Sequence, residues 1–478
     1  MKRSPPEHGV SSELTRLSAT QLVSAYRRRD LSPVEVVTAV LERIEAFEPH
    51  VNAFCLVDED GAMRAARESE ARWQHGAPCG LVDGVPATIK DLVLTAGWPT
   101  LRGSRTIDRN QDWNDDAPAS ARLRAHGAVL LGKTTTPEFG WKGVTDSALT
   151  GITRNPWNTA CTPGGSSGGA AAACALGLGA LHVGTDGGGS IRIPAGFTGL
   201  VGLKATFGRV PAWPASPFGT VAHVGPITRT VGDAALMLNV LSEPDARDWY
   251  ALPANGRDYR VGLEDGISGL KIGYSPDLGY VEVDAEIAEA AAGAARLLGE
   301  LGAHVESVPP PFESAAECFR VHWYAGAAHL LAQFDDAQRA MIDPGLVEIA
   351  AEGAKFSNAE YLRAVADRAA LGERMAHFHQ QWDLLLTPTL PIPAFAAGAE
   401  FPDSASYGRW RDWTPFTYPF NLTQQPAMSV PCGFTASGLP IGLQIVGPKY
   451  AESLVLRCAR AFESLQPFVM PEEPRSAA

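Results

Sequence analysis

Residues 163–204 leave this chain few ways to fold. The segment opens Pro163-Gly164-Gly165-Ser166-Ser167-Gly168-Gly169, runs on through an alanine-rich stretch to Gly184, and reaches a second glycine block at Gly187-Gly188-Gly189-Ser190. The stretch 168–184 holds no Asp, Glu, Lys or Arg. It reads as a buried helix leading into a strand, too short and too glycine-rich to span a membrane. A glycine-flanked serine stands on each side of it. Consecutive glycines leave backbone N–H groups uncovered and free to face a developing anion. A serine beside such donors has the parts for acyl transfer, a nucleophile and an oxyanion hole. The plainer alternative is that the glycines mark turns and the serines cap them. The segment alone leaves both open.

Around this block, helix and strand patterns alternate. Capping boxes at Ser18-Ala19-Thr20-Gln21 and Ser32-Pro33-Val34-Glu35 start helices. Val37, Val40, Leu41, Ile44 and Phe47 then recur at helical spacing, so the chain is expected to be helical to about residue 73. Expected next are a strand over 82–93, a helix over 117–126, a strand over 128–132, a helix over 168–178 and a strand over 180–185. Residues 205–227, rich in Gly, Pro and aromatics, read as a long ordered loop, followed by a helix near 230–241 and an excursion over 243–268. A strand (270–274), a helix (284–301), a strand (303–307) and a mostly helical stretch (312–382) come next. Strands at 384–387, 427–431 and 441–446 and a helix over 451–465 complete the pattern. Such alternation predicts an α/β protein whose sheet is covered by helices on both faces. No linker is polar enough to divide it. Residues 1–12 read as a disordered tail before one domain over 13–470, with a helical part (13–73), a core (80–242) and a C-terminal part (268–466).

Composition narrows the function classes. With 478 residues, 45% hydrophobic and 19% charged, the chain suits a large globular protein. A net charge of −13 argues against nucleic-acid binding. Cys55, Cys79, Cys161, Cys174, Cys318, Cys432 and Cys458 are scattered without a CxxC pair, as in a reduced, cytoplasmic protein. The N-terminus carries no apolar stretch, so neither a signal peptide nor a membrane anchor is expected. The eleven histidines form no HExxH, and His377-x-His379 points to different faces of a helix, so no metal and no cofactor is expected.

Two motif matches fail on context. Gly127-Ala-Val-Leu-Leu-Gly132-Lys133-Thr134 fits the P-loop pattern, but its interior is an apolar strand rather than a phosphate cradle. Gly164-x-Ser166-x-Gly168 and Gly165-x-Ser167-x-Gly169 fit the nucleophile elbow, yet polar, turn-like residues precede them instead of a buried strand. A serine nucleophile without a histidine needs another base. Lys90, in Gly84-Val85-Pro86-Ala87-Thr88-Ile89-Lys90-Asp91, lies in an otherwise apolar strand, where lysine is rare. Alone it reads best as paired with Asp91 or turned outward. Beside Ser166 and Ser190 it becomes a candidate base.

Together these residues resemble the amidase signature family of serine hydrolases. The resemblance rests on Gly84-Val85-Pro86 with Lys90-Asp91, on Pro163 to Gly169, and on Gly184-Thr185-Asp186-Gly187-Gly188-Gly189-Ser190-Ile191-Arg192-Ile193-Pro194. Thr153-Arg154-Asn155-Pro156-Trp157, Gly199-Leu200-Val201-Gly202-Leu203-Lys204, Pro426-Ala427-Met428-Ser429-Val430-Pro431 and Leu439-Pro440-Ile441-Gly442-Leu443-Gln444 extend it over roughly residues 15–465. It implies one large α/β domain with a mixed central sheet. It also implies a Ser–cisSer–Lys triad, with Ser190 as nucleophile, Ser166 bridging after a cis peptide bond and Lys90 as base. The N–H groups of Gly187, Gly188, Gly189 and Ser190 would form the oxyanion hole. Asp186 and Arg192 read as structural, bracing the loop by charge-assisted hydrogen bonds, with direct substrate contact as the alternative. Lysine is a poor base near its ordinary pKa of about 10.4, and burial would lower it. Many members carry a bulkier apolar residue where this chain has Gly187, which loosens the backbone that supplies the donors.

The implied activity is hydrolysis of small-molecule amides, with esters and carbamates as further substrates. Phe401, Tyr407, Trp410, Trp413, Phe416, Tyr418 and Phe420 suit the wall of an aryl acyl pocket, and equally the packing of a long loop. Trp141, Thr145, Gly165, Trp410 and Trp413 are the candidate substrate contacts, favouring hydrophobic or aryl amides. The family resemblance makes a homodimer plausible. The rival readings are the amidase component of an amidotransferase, working on glutamine with partner subunits, and an inactive binding protein on the same scaffold.

Overall fold

The structure is a computed structural model that describes residues 13–475. The tail expected at 1–12 lies outside the described residues. Thirteen strands are found among them: β1 Phe54–Val57, β2 Pro86–Lys90, β3 Val129–Thr134, β4 Asp146–Ser147, β5 Gly151–Ile152, β6 Leu181–Asp186, β7 Val201–Lys204, β8 His223–Thr228, β9 Lys271–Tyr274, β10 His304–Ser307, β11 Leu384–Pro388, β12 Ala427–Phe434 and β13 Pro440–Val446. Eleven form one sheet in the order β1-β3-β2-β6-β8-β7-β12-β13-β11-β9-β10, and β4 pairs with β5 in a small hairpin.

The sheet is mixed. Its two flanks, β3-β2-β6 and β11-β9-β10, are parallel, and the strands between them run antiparallel. Successive side chains on a strand point to opposite faces. Leu384 and Leu386 accordingly pack in one hydrophobic cluster and Leu385 in the other; Met428 and Val430 are likewise separated from Ala427. Both faces are covered, as the alternating pattern predicts, and the sheet with its helices forms a single α/β domain.

Four details differ from the sequence expectation. The expected strand over 82–93 is only Pro86–Lys90, because turns bracket it: Val85 N–H donates to Val82 O at 3.0 Å and Val93 N–H to Lys90 O at 3.0 Å. The N-terminal part is not all helical. β1 lies between the helices Pro33–Val51 and Glu59–Gln74 and pairs with the outer edge of β3. The expected loop over 205–227 ends in β8, a strand between β6 and β7 in the middle of the sheet. Gly225 and Pro226 hide it, since neither favours a strand. A Cβ at Gly225 would lie 2.4 Å from Leu203 O, so the closeness of the next strand requires the glycine. Last, β7 and the β4–β5 hairpin have no counterpart in the expected pattern.

What matters for chemistry is that β2 and β6 are parallel neighbours, with Ile89 opposite Val183. Their carboxyl ends lie side by side, carrying Lys90 on one strand and Thr185-Asp186 on the other. Ligands in open α/β sheets bind beyond such strand ends.

Candidate active site

Lys90, the last residue of β2, is fully buried. Its Nζ bonds three hydroxyls: Ser166 Oγ at 2.6 Å, Ser167 Oγ at 2.9 Å and Thr185 Oγ1 at 2.9 Å. No carboxylate lies within ion-pair distance of it among the described residues. Burial therefore pulls the Lys90 amine well below its ordinary pKa, and the more distant Asp186 charge only partly opposes this.

Ser166 sits in the loop ahead of the helix Gly168–Ala175, and the Gly165–Ser166 peptide bond is cis. Close backbone approaches shape this loop. A Cβ at Gly165 would lie 2.4 Å from Val144 C and O. The Thr145 hydroxyl donates to Gly164 O at 2.9 Å and accepts from Gly168 N–H at 3.0 Å, tying the two ends together. Ser167, to which the sequence assigns no role, donates to Thr185 O at 3.1 Å and so fastens the loop to β6.

Ser190 follows β6 through the glycines and precedes the helix Arg192–Thr198. The loop is clamped by a buried ion pair. Asp186 Oδ2 accepts from Arg192 Nε at 2.9 Å, and Asp186 Oδ1 accepts from Asn421 Nδ2 at 2.8 Å and Gly189 N–H at 2.7 Å. Arg192 also donates to Gln444 Oε1 at 2.7 Å and Thr417 O at 2.9 Å. Burial alone would raise the Asp186 carboxyl, but the Arg192 guanidinium outweighs it and holds the group well below the usual carboxylate range. The N–H of Gly189 is thus committed to Asp186. The N–H groups of Gly187, Gly188 and Ser190 have no acceptor among the described residues, so the free donors are three rather than the four expected.

Ser166, Thr185, Gly187 and Ser190 line one cavity of about 150 Å³. Its walls are mainly apolar: Leu92, Phe139, Trp213, Phe218, Trp323 and Leu330. His223 also lines it, and its Nδ1–H donates to Val221 O at 2.8 Å. Burial, reinforced by the Lys204 charge, holds that imidazole well below its ordinary pKa, hence neutral.

None of the five candidate substrate contacts lines this cavity. Thr145 and Gly165 shape the serine loop from behind. Trp141 is buried, and its carbonyl accepts from Trp323 Nε1 at 3.1 Å. Trp413 stacks on Phe197 with centroids 5.8 Å apart. Trp410 meets Trp323 edge to face at 5.6 Å and covers the far side of Gly188, where a Cβ would lie 2.8 Å from its ring. Phe416, Tyr418 and Phe420 are buried too. The aromatic 401–420 stretch is therefore mostly packing, and the walls come from residues 211–218 and from the helix Ala316–Leu331. The one sequence sign of this is the Pro- and aromatic-rich character of 205–227. Trp323 explains Gly187: a Cβ there would lie 2.8 Å from the indole ring.

The comparisons with known proteins agree with one another. The Amidase family profile matches residues 35–456. The chain is 38% identical to an acylamidase of Rhodococcus erythropolis over 95% of this chain and 96% of that protein. It is also 38% identical to a component of the glutamyl-tRNA(Gln) amidotransferase of Myxococcus xanthus, over 97% and 100% of the two chains. The crystal structure of a bacterial aryl acylamidase of the amidase signature family superposes with a TM-score of 0.88 at 33% identity, covering 94% of this chain and 96% of that one.

Proposed function

This chain belongs to the amidase signature family and is an amide hydrolase, and on that premise we propose that it cleaves hydrophobic or aryl amides through an acyl-enzyme on Ser190. The observation that carries this reading is the fully buried Lys90 amine, bonded only to hydroxyls.

A neutral Lys90 takes the proton of the Ser166 hydroxyl as Ser166 takes that of Ser190. Ser190 Oγ adds to the amide carbonyl carbon. The resulting oxyanion lies against the N–H groups of Gly187, Gly188 and Ser190, and a lost donor of this kind typically costs about 2.7–4 kcal/mol of transition-state stabilisation. Collapse breaks the C–N bond, and the relay returns the proton to the leaving amine. Water, deprotonated by the same relay, then attacks the seryl ester and releases the acid. The ester intermediate forms equally from an ester or a carbamate, so those bonds are further substrates.

The apolar walls favour aryl or alkyl groups over a polar side chain. They favour a stand-alone hydrolase over a glutamine-specific component of a larger enzyme. The cavity's acid, Asp186, is saturated by Arg192, Asn421 and Gly189, leaving nothing to receive an α-ammonium group.

The test is a panel of anilides, aliphatic amides, aryl carbamates, esters and glutamine, assayed with the parent protein and Ser190→Ala. Anilides are expected to turn over fastest, and Ser190→Ala to be inactive on every member. Near-parental hydrolysis by Ser190→Ala removes the assigned nucleophile; glutamine as the best substrate reverses the choice between the two readings.

A further inference from the structure

Arg102 is out of place in the cavity described above. It is the only Arg or Lys among the lining residues, and Asp186, the only acidic one, already has its partners. The Arg102 guanidinium makes no ion pair and no side-chain hydrogen bond among the described residues, although it is half-buried. Other interior arginines are engaged, among them Arg192 with Asp186, Arg72 with Asp83 and Arg229 with backbone carbonyls. The Arg102 nitrogens are not among the buried polar atoms left without a partner, so the guanidinium stays accessible and open to a group brought in by a ligand.

The backbone holds this side chain in place. Leu101 N–H and Gly103 N–H donate to the two oxygens of Asp91 at 3.2 and 3.3 Å, and Phe139 N–H donates to Arg102 O at 2.7 Å. Arg102 itself has φ 56°, a left-handed conformation uncommon for a residue with a side chain. A turn wrapped around the carboxylate next to Lys90 thus carries Arg102 to the cavity wall. Asp91 makes no direct hydrogen bond or ion pair with the guanidinium, since its oxygens accept from those N–H groups and its ion pair is with Lys133 at 3.7 Å; its charge reaches Arg102 only from a distance.

We propose that Arg102 is a specificity-determining residue that receives a carboxylate on the substrate, so that the preferred amides of this enzyme carry an anionic group remote from the scissile bond. The inference rests on the amidase reading above. A planar guanidinium matches a carboxylate with two parallel N–H···O bonds, while the apolar walls take the intervening aryl or alkyl part. A zwitterion gains less, because its ammonium would find no uncommitted acid.

The carboxylate can belong to the acyl group or to the leaving amine, and two matched pairs distinguish these. Glutaryl-p-nitroanilide against pentanoyl-p-nitroanilide tests the acyl side. 4-Acetamidobenzoate against acetanilide tests the amine side. In at least one pair the acid is expected to show a kcat/KM tenfold or more above its neutral partner, mostly through KM. That ratio is expected to fall to about one in Arg102→Met and to be partly retained in Arg102→Lys. Because the ratio is taken within each variant, a general loss of activity does not mimic the effect; Arg102→Gln replaces Arg102→Met should the latter fail to fold. Equal rates within both pairs, or a preference that survives in Arg102→Met, overturns the proposal. If the neutral anilides are hydrolysed in either case, the amidase reading stands while this inference fails.

Discussion

Two lysines on adjacent strands of the same sheet have been put to opposite uses. Lys90 ends β2 and Lys133 lies in β3, where it pairs with Ile89; both are fully buried. Lys133 has Asp91 at 3.7 Å, Val93 O at 2.7 Å and Thr100 Oγ1 at 2.7 Å. Burial lowers it and the Asp91 charge restores part of the loss, leaving it at about 8. Lys90 has hydroxyls alone, and burial takes it well below its ordinary value. Desolvation is common to both. What separates a structural cation from a candidate base is the carboxylate beside the first and the exchangeable protons around the second.

Lys90→Met against Lys133→Met puts the greatest strain on this contrast. The first is expected to lose anilide turnover by about a thousandfold or more while keeping its cooperative unfolding transition. The second is expected to lose about 3 kcal/mol of stability, because it strands a buried carboxylate, and to keep kcat near the parent value. Steady-state rates and urea midpoints measure both. Equal inactivity in the two variants, with both folded, would erase the distinction.

The pH dependence should separate them next. Lys90 must be neutral to act, so kcat/KM rises with pH through its lowered pKa and is lost as pH falls below it. Lys133 acts on stability instead. Between about 8 in the fold and about 10.4 in the unfolded chain, the unfolded state holds more protons at this site. Its contribution to stability therefore grows as pH rises through that window and is independent of pH below it. Urea midpoints from about pH 7.5 to about pH 10.5, a range that brackets both values, should lose this rise in Lys133→Met, while the activity limb of that variant stays where it was. An activity limb that moves with Lys133 contradicts the assignment.

The smallest effect sharpens the comparison further. Thr185→Val deletes one hydroxyl that supports the Lys90 ammonium, so the activity limb should move about half a pH unit lower, the equivalent of one modest hydrogen bond. Thr100→Val does the same to Lys133 and should leave that limb unmoved.

The reach of the sequence follows from how local each feature is. A lysine in an apolar strand and serines between glycines carry their chemistry in a few adjacent letters, and the fold brings Lys90 and Ser166 into contact across 76 residues. The sheet's flanks are legible for the same reason, since their strands alternate with well-patterned helices. β8 is not, because its glycine and proline answer to the neighbouring strand rather than to strand propensity. The cavity walls are misplaced for a related reason. Aromatic composition reports that rings are buried, not what they are buried against, so Trp410 and Trp413 are expected at the substrate while Trp213, Phe218 and Trp323 line the cavity. Arg102 has no sequence signal, since only the Asp91 turn directs it inward.

Gly187 and Trp323 meet where a methyl group would overlap an indole, and that indole is fixed by stacking on Phe218 at 3.9 Å. The two positions are therefore sterically coupled. A side chain at residue 187 fits only where the tryptophan is trimmed or displaced with it.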